Sequence, residues 1–284
     1  MKTIFIATDF SSDAHQAAVY GVNLATYLGA NIVLFHAYQT PISIPESFFV
    51  VTPDEMKNDA EQKLLMEVKS IRLSETQPIN IIAAEGDVHE IIFFHTAKYE
   101  KCLLVCGRRG KGKINRFYFG STATKFLQKN LLPVLVVPEE ALYHPINRIA
   151  LAIEEINQTD MVTFDMLQSI GEKFDAIIYI VNVMNASDSE VSELSFRSER
   201  ILNKFKLLKP EYKFIKSDDL SEALDTFIKE NNIHLLSLIS HHHTIFERIF
   251  IKSSTKELIF HSQIPLLLLP EIKEKNSIVK KMFQ

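Results

Sequence analysis

Cys106 to Thr122 reads C-G-R-R-G-K-G-K-I-N-R-F-Y-F-G-S-T. The apolar run Lys101–Cys106 before it predicts a short strand, and a helix is expected to begin near Gly120. Gly107 and Gly110 follow the strand, and Gly120 is followed at once by Ser121 and Thr122. Glycine admits φ > 0 and lets backbone N–H groups come close to a ligand. A helix start adds free N–H groups and the positive end of the dipole, a natural seat for an anion. Strand, glycine loop and helix start together describe a phosphate cradle. The chain has only 8 glycines in 284 residues, so their concentration in this loop carries weight.

Two plainer readings compete for the same residues. Glycines after a strand can mark no more than a tight turn. The stretch also nearly spells a Walker loop, Gly107-x-x-x-x-Gly112-Lys113, but Ile114 stands where a Ser or Thr should meet magnesium. A Walker loop should also open its helix immediately, whereas Asn115–Phe119 reads as continuing loop.

Outward from this loop, predicted strands and helices alternate. Thr3–Thr8, Asn31–Ala37, Ile79–Ala84, Lys101–Cys106 and Pro133–Val137 read as strands. Ser12–Leu28, Pro53–Leu73, Val88–Lys98 and Thr122–Lys129 read as helices. That alternation, with apolar strands, argues for a parallel sheet carrying helices on both faces. Thr52-Pro53-Asp54-Glu55 is a capping box with proline at the first helical position. Ala14, Ala17, Ala18, Gly21 and Ala25 form a seam of small residues that would let the first helix lie close on the sheet.

The order then repeats. Pro133–Pro138 aligns with Pro265–Pro270 at an offset of 132 (265 − 133), which also carries Asp87-x-x-Glu90 onto Asp219-x-x-Glu222 and Arg116 onto Arg248. Near the start the offset reads as 146, laying Lys2-Thr3-Ile4 over Arg148-Ile149-Ala150. Two domains are expected, 1–140 and 146–272, with a charged tail, 273–284. The cradle does not repeat: Gly107 becomes Ile239, Gly110 His242, Gly120 Lys252, and Asp9 maps to Glu155. A bulky residue at φ > 0 costs about 1–2 kcal/mol, so three such positions would forfeit ~3–6 kcal/mol of the ~8 that micromolar binding represents. The second half is expected not to hold a nucleotide in the same way.

Three stretches resemble the universal stress protein family. They are Gly107-x-x-Gly110 with nine residues before Gly120-Ser121, the opening Ile4–Ala14 with Asp9 at the strand end, and Leu132–Pro138. The resemblance is strong over Met1–Glu139 and weaker beyond. It implies two tandem Rossmann-like domains of the adenine nucleotide alpha hydrolase-like type, each a five-stranded parallel sheet in order 3-2-1-4-5. It implies an adenine nucleotide as ligand: ATP, or AMP or ADP in its place, with Mg2+ left open. Ala7 and Asp9 match positions near adenine and ribose, and Ala37 one whose backbone reads the adenine edge. Gly107, Arg109 and Gly110 match the loop around ribose and phosphates, and Gly120, Ser121, Thr122 and Ala123 the phosphate-holding helix start. Asp9 alone could equally be a helix cap. Lys111, Lys113 and Arg116 add positive charge beside the cradle. The bulky Phe117-Tyr118-Phe119 departs from the small or apolar residues usual in the family there.

Composition narrows the partners. A net charge of −4 gives no basic field for nucleic acid. No apolar run approaches the ~18 residues of a membrane span, and the N-terminal apolar run is too short for a signal peptide, so a cytoplasmic protein is expected. Cys102 and Cys106, four apart on one predicted strand, are too distant for a disulfide. His241-His242-His243 lacks the pattern of a metal site. His36 reads as a partly buried, satisfied histidine. No nucleophile motif appears, and Asp9, Arg109 and the lysines make no base–nucleophile arrangement. The resemblance makes a regulatory nucleotide binder in a stress response the leading expectation, not an enzyme. Behind it stand a ligand-independent interaction module and a slow ATP hydrolase. The apolar strands Val134–Val137 and Leu266–Leu269 would be exposed edges in isolated domains. The resemblance suggests that such strands pair, here as an intrachain pseudo-dimer, with a homodimer of whole chains and an unknown protein partner left open.

Overall fold

A computed structural model of the chain describes residues 3–39, 52–71, 77–96, 99, 101–108, 132–153, 160–184, 199–240 and 263–270. The chain divides into two compact units, Met1–Tyr143 and His144–Gln284.

In the first unit the elements run β1 (Thr3–Ala7), α1 (Ser12–Leu28), β2 (Asn31–Tyr38), α2 (Pro53–Ile71), β3 (Ile79–Glu85), α3 (Val88–Thr96), β4 (Cys102–Gly107) and β5 (Val134–Val137). The strands are parallel and lie in the order β3-β2-β1-β4-β5. Ile4, Phe5, Ile6 and Leu103 to Val105 are all at most 1% exposed, as expected for strands covered on both faces. Alternation shows what covers them. Ile6 points at α1, where a Cβ on Gly21 would stand 3.0 Å from its Cδ1. Phe5 points the other way and meets the Tyr99 ring at 5.4 Å, just past α3. The small-residue seam does what its spacing predicts: Ala17, Ala18 and Ala25 are fully buried.

The helix ends follow from local chemistry. Ser11 caps α1, accepting from the Ala14 N–H at 3.3 Å. Gly29 closes it at φ 65, in the left-handed region that glycine enters without a Cβ clash. The Thr52 capping box is formed: the Glu55 carboxylate accepts from Thr52 N at 2.9 Å, and Thr52 Oγ1 accepts from Glu55 N at 3.3 Å.

In the second unit β6 (Arg148–Ala152), α4 (Asp160–Lys173) and β7 (Ile177–Met184) come first. A helical segment 199–204 and a 3₁₀ turn, Lys206–Leu208, follow. Then come β8 (Glu211–Lys216), α5 (Leu220–Glu230), β9 (Leu235–Ser240) and β10 (Leu266–Pro270). The strand order is β8-β7-β6-β9-β10, again parallel. Asp219 caps α5, accepting from the N–H groups of Ser221 and Glu222 at 2.9 and 3.1 Å.

Strand register tests the repeat. Leu104 pairs with Val134 as Leu236 pairs with Leu266, so the offset of 132 holds in both strands. At the start of the repeat the expectation slips by one residue. Ile4 pairs with Leu103 and Ile149 with Leu235. The Thr8 N–H donates to Phe35 O and the Ile153 N–H to Val181 O, both at 2.9 Å. The offset there is 145, and Asp9 corresponds to Glu154, not Glu155. The error has a physical source. A parallel strand buried on both faces shows no polar–apolar alternation to fix its register from sequence.

Candidate functional site

The carboxyl ends of β2, β1 and β4 lie side by side, and chain order reverses between β1 and β4. Open α/β sheets bind ligands at such a reversal. Ala7 ends β1, with Asp9 in the loop beyond it; Ala37 sits one residue from the end of β2, and Gly107 ends β4. Four of the residues expected at the site are therefore brought to one edge of the sheet. Arg109, Gly110, Gly120, Ser121, Thr122 and Ala123 lie outside the described residues, as do Lys111, Lys113, Arg116, the Phe117–Phe119 run, the predicted helix Thr122–Lys129 and His241–His243.

The loop from β1 to α1 is tightly tied. The Asp9 Oδ1 accepts from Ser11 N at 3.0 Å and from Ser11 Oγ at 2.5 Å. Ser11 Oγ in turn accepts from Ala14 N, so Asp9 braces the cap of α1 without being the cap itself. Thr8 is held on three sides. Its N–H donates to Phe35 O, its Oγ1 accepts from Phe10 N at 3.0 Å, and its carbonyl lies 2.8 Å from His36 Nδ1. Phe10 is thereby kept at φ 61, a left-handed conformation that an aromatic residue seldom adopts. Its ring packs on that of His36 with centroids 4.4 Å apart. Strain of this kind persists only where surrounding bonds over-determine it, and it gathers at functional loops. Nothing in the sequence marks Phe10 for this role.

Gly107 differs from its expected part. It pairs with Val137 as the last residue of β4, and its φ is not in the left-handed region. It is glycine for another reason: a Cβ there would stand 2.8 Å from the backbone C and O of Asp13 and 3.1 Å from Ala14 N. The bare strand end lets the first turn of α1 settle against β4. Ile239, the counterpart of Gly107, is buried and pairs with Leu269 in β10. The φ > 0 penalty expected from sequence therefore does not apply at Gly107.

Arg108, which sequence reasoning passed over, is 6% exposed. Its backbone N–H donates to Val137 O, and its Nη2 reaches Glu140 Oε2 at 3.1 Å. One of two adjacent arginines thus turns inward to hold the segment after β5. Cys102 and Cys106 are free thiols on β4, and burial pushes their pKa up, to about 11 and about 12. His36 makes the satisfied contact expected of it. Among the described residues no group of three His, Cys, Asp or Glu side chains could hold a metal ion, and no helix is long and apolar enough to cross a membrane.

Comparison with known proteins agrees with this architecture. A universal stress protein of Synechocystis sp. is 22% identical over 295 aligned positions, covering 94% of this chain and 99% of its own. A crystal structure of a universal stress protein from Archaeoglobus fulgidus superposes with a TM-score of 0.70 at 16% identity, covering 95% of this chain and 98% of that one, and shows the same fold. A universal stress protein of Thermus aquaticus is 28% identical over 137 residues, 48% of this chain and 98% of its own. The model of the Universal stress protein family matches residues 1–138. Residues 1–138 thus match the universal stress protein family, and the chain as a whole has the fold of a universal stress protein structure.

Proposed function

We propose that the first domain, residues 1–140, binds an adenine nucleotide at the carboxyl edge of its sheet, and that occupancy serves regulation in a stress response and not chemistry. The observation that supports this reading is that Asp9 lies just past β1 and Gly107 ends β4, the two strands between which chain order reverses. Asp9 would accept from ribose hydroxyls beside Ala7, and Ala37 would offer its backbone to the adenine edge. Arg109 and Gly110 would follow Gly107 around the ribose and phosphates. Gly120, Ser121, Thr122 and Ala123 would supply the helix start that holds the phosphates. The second domain, residues 146–272, carries Ile239, His242 and Lys252 at the glycine positions and would leave nucleotide unbound.

Equilibrium dialysis of the full chain against millimolar ATP tests this. Retention of ATP that is lost in Gly120→Trp is the expected result. No retention, or retention unchanged by that substitution, would refute it. Mass spectrometry of any small molecule released on denaturing the purified protein would distinguish ATP, ADP and AMP.

A further inference from the structure

His36 Nδ1 lies 2.8 Å from the Thr8 carbonyl oxygen. A carbonyl only accepts, so the proton of this bond is on Nδ1. In the second unit the Asn182 side-chain amide donates to Ile153 O, also at 2.8 Å. Register makes Ile153 the counterpart of Thr8 and Val181 that of Phe35, so Asn182 is the counterpart of His36. Each unit thus ties its second strand to the first residue beyond its first strand. One uses an imidazole and the other an amide. The shared feature is an N–H at the right reach, not a titrating ring.

We infer that His36 is a positioning residue for the nucleotide site, and that it acts through this one donated bond, which an asparagine can replace. The inference rests on the nucleotide reading above. Its logic is local. Thr8 anchors Phe10 through Oγ1, and Phe10 and Ser11 flank and fix Asp9. Freeing the Thr8 carbonyl would loosen the left-handed turn at Phe10 and, with it, the carboxylate offered to the ribose.

Three full-length chains decide the matter: wild type, His36→Ala and His36→Asn. Each is measured for ATP affinity by equilibrium dialysis and for amide hydrogen exchange at Phe10 and Ser11. Losing a hydrogen bond of ordinary strength corresponds to about tenfold in affinity. His36→Ala should therefore bind ATP about tenfold more weakly and exchange faster at both amides. His36→Asn should stay within about threefold of wild type and keep its protection, although it loses the ring packing with Phe10. An asparagine variant as weak as alanine, or an alanine variant equal to wild type, would overturn the inference. If wild type itself fails to bind ATP, the nucleotide reading falls. The exchange data then decide the brace alone: loss of protection confined to alanine supports it, and equal exchange in all three chains sinks it.

Discussion

Gly107 sits so near the first turn of α1 that a Cβ there would stand 2.8 Å from the carbonyl carbon and oxygen of Asp13. Both atoms are backbone, so neither can swing aside. The contact couples the end of β4 to the start of α1, and therefore to the Asp9–Ser11 cap that leads into that helix.

Gly107→Ala should destabilise the chain by about 1–3 kcal/mol, the usual cost of overpacking a closed contact. Gly171 provides the control. The nearest atoms a Cβ there would meet are side-chain ends, Leu208 Cδ1 at 2.6 Å, Leu208 Cδ2 at 3.2 Å and Ile149 Cδ1 at 3.4 Å, and none is backbone. Alanine also gains about 1 kcal/mol over glycine inside a helix. Gly171→Ala should therefore stay within about 1 kcal/mol of wild type. Urea midpoints of the two variants check the ranking, and equal losses would contradict it.

Cys102 and Cys106 should be silent to thiol reagents. Burial raises both thiols, to about 11 and about 12, so almost no reactive thiolate exists near pH 8. A chromogenic disulfide reagent should titrate neither thiol in the native protein over minutes and both of the chain's 2 cysteines in urea. A rapid native reaction would show that β4 is less covered than described.

His234 should make stability depend on pH. Its Nδ1 accepts from the Asn147 N–H at 3.1 Å, a bond that protonation of Nδ1 would break. Burial, then the neighbouring Arg148 and His144, hold its pKa below the usual 6.5. In the interval between the lowered pKa and 6.5 the unfolded chain binds more protons than the folded one, so stability rises with pH there. The contribution is full above about pH 7 and is lost as pH falls through 6.5 toward the folded value. The urea midpoint of wild type should drop over that interval relative to His234→Asn. Parallel curves would rule out this histidine as a source.

Much of this fold can be read in the chain, for reasons particular residues make clear. Thr52-Pro53-Asp54-Glu55 announces a helix start because its bonds are local. The alanine and glycine seam of α1 announces close packing because size alone decides it. The repeat is legible where Pro133 and Pro265 bracket matching strands, but it slips by one residue at β1 and β6, where burial on both faces erases the alternation that sets register. The site is legible only in part. The resemblance singles out Asp9 and Gly107 as candidates, yet what Gly107 meets in the fold is Asp13, a partner far away in sequence. The inward turn of Arg108 depends on its tertiary bond to Glu140. Phe10 at φ 61 leans on Thr8, which is itself held by bonds to Phe35 and His36 from the neighbouring strand.

The central claim is that one unit holds an adenine nucleotide and the other does not. Native mass spectrometry of the full chain with millimolar ATP measures this directly. A single nucleotide per chain, abolished by Gly120→Trp, is the predicted result. Two nucleotides per chain, or one that survives the tryptophan, would contradict it.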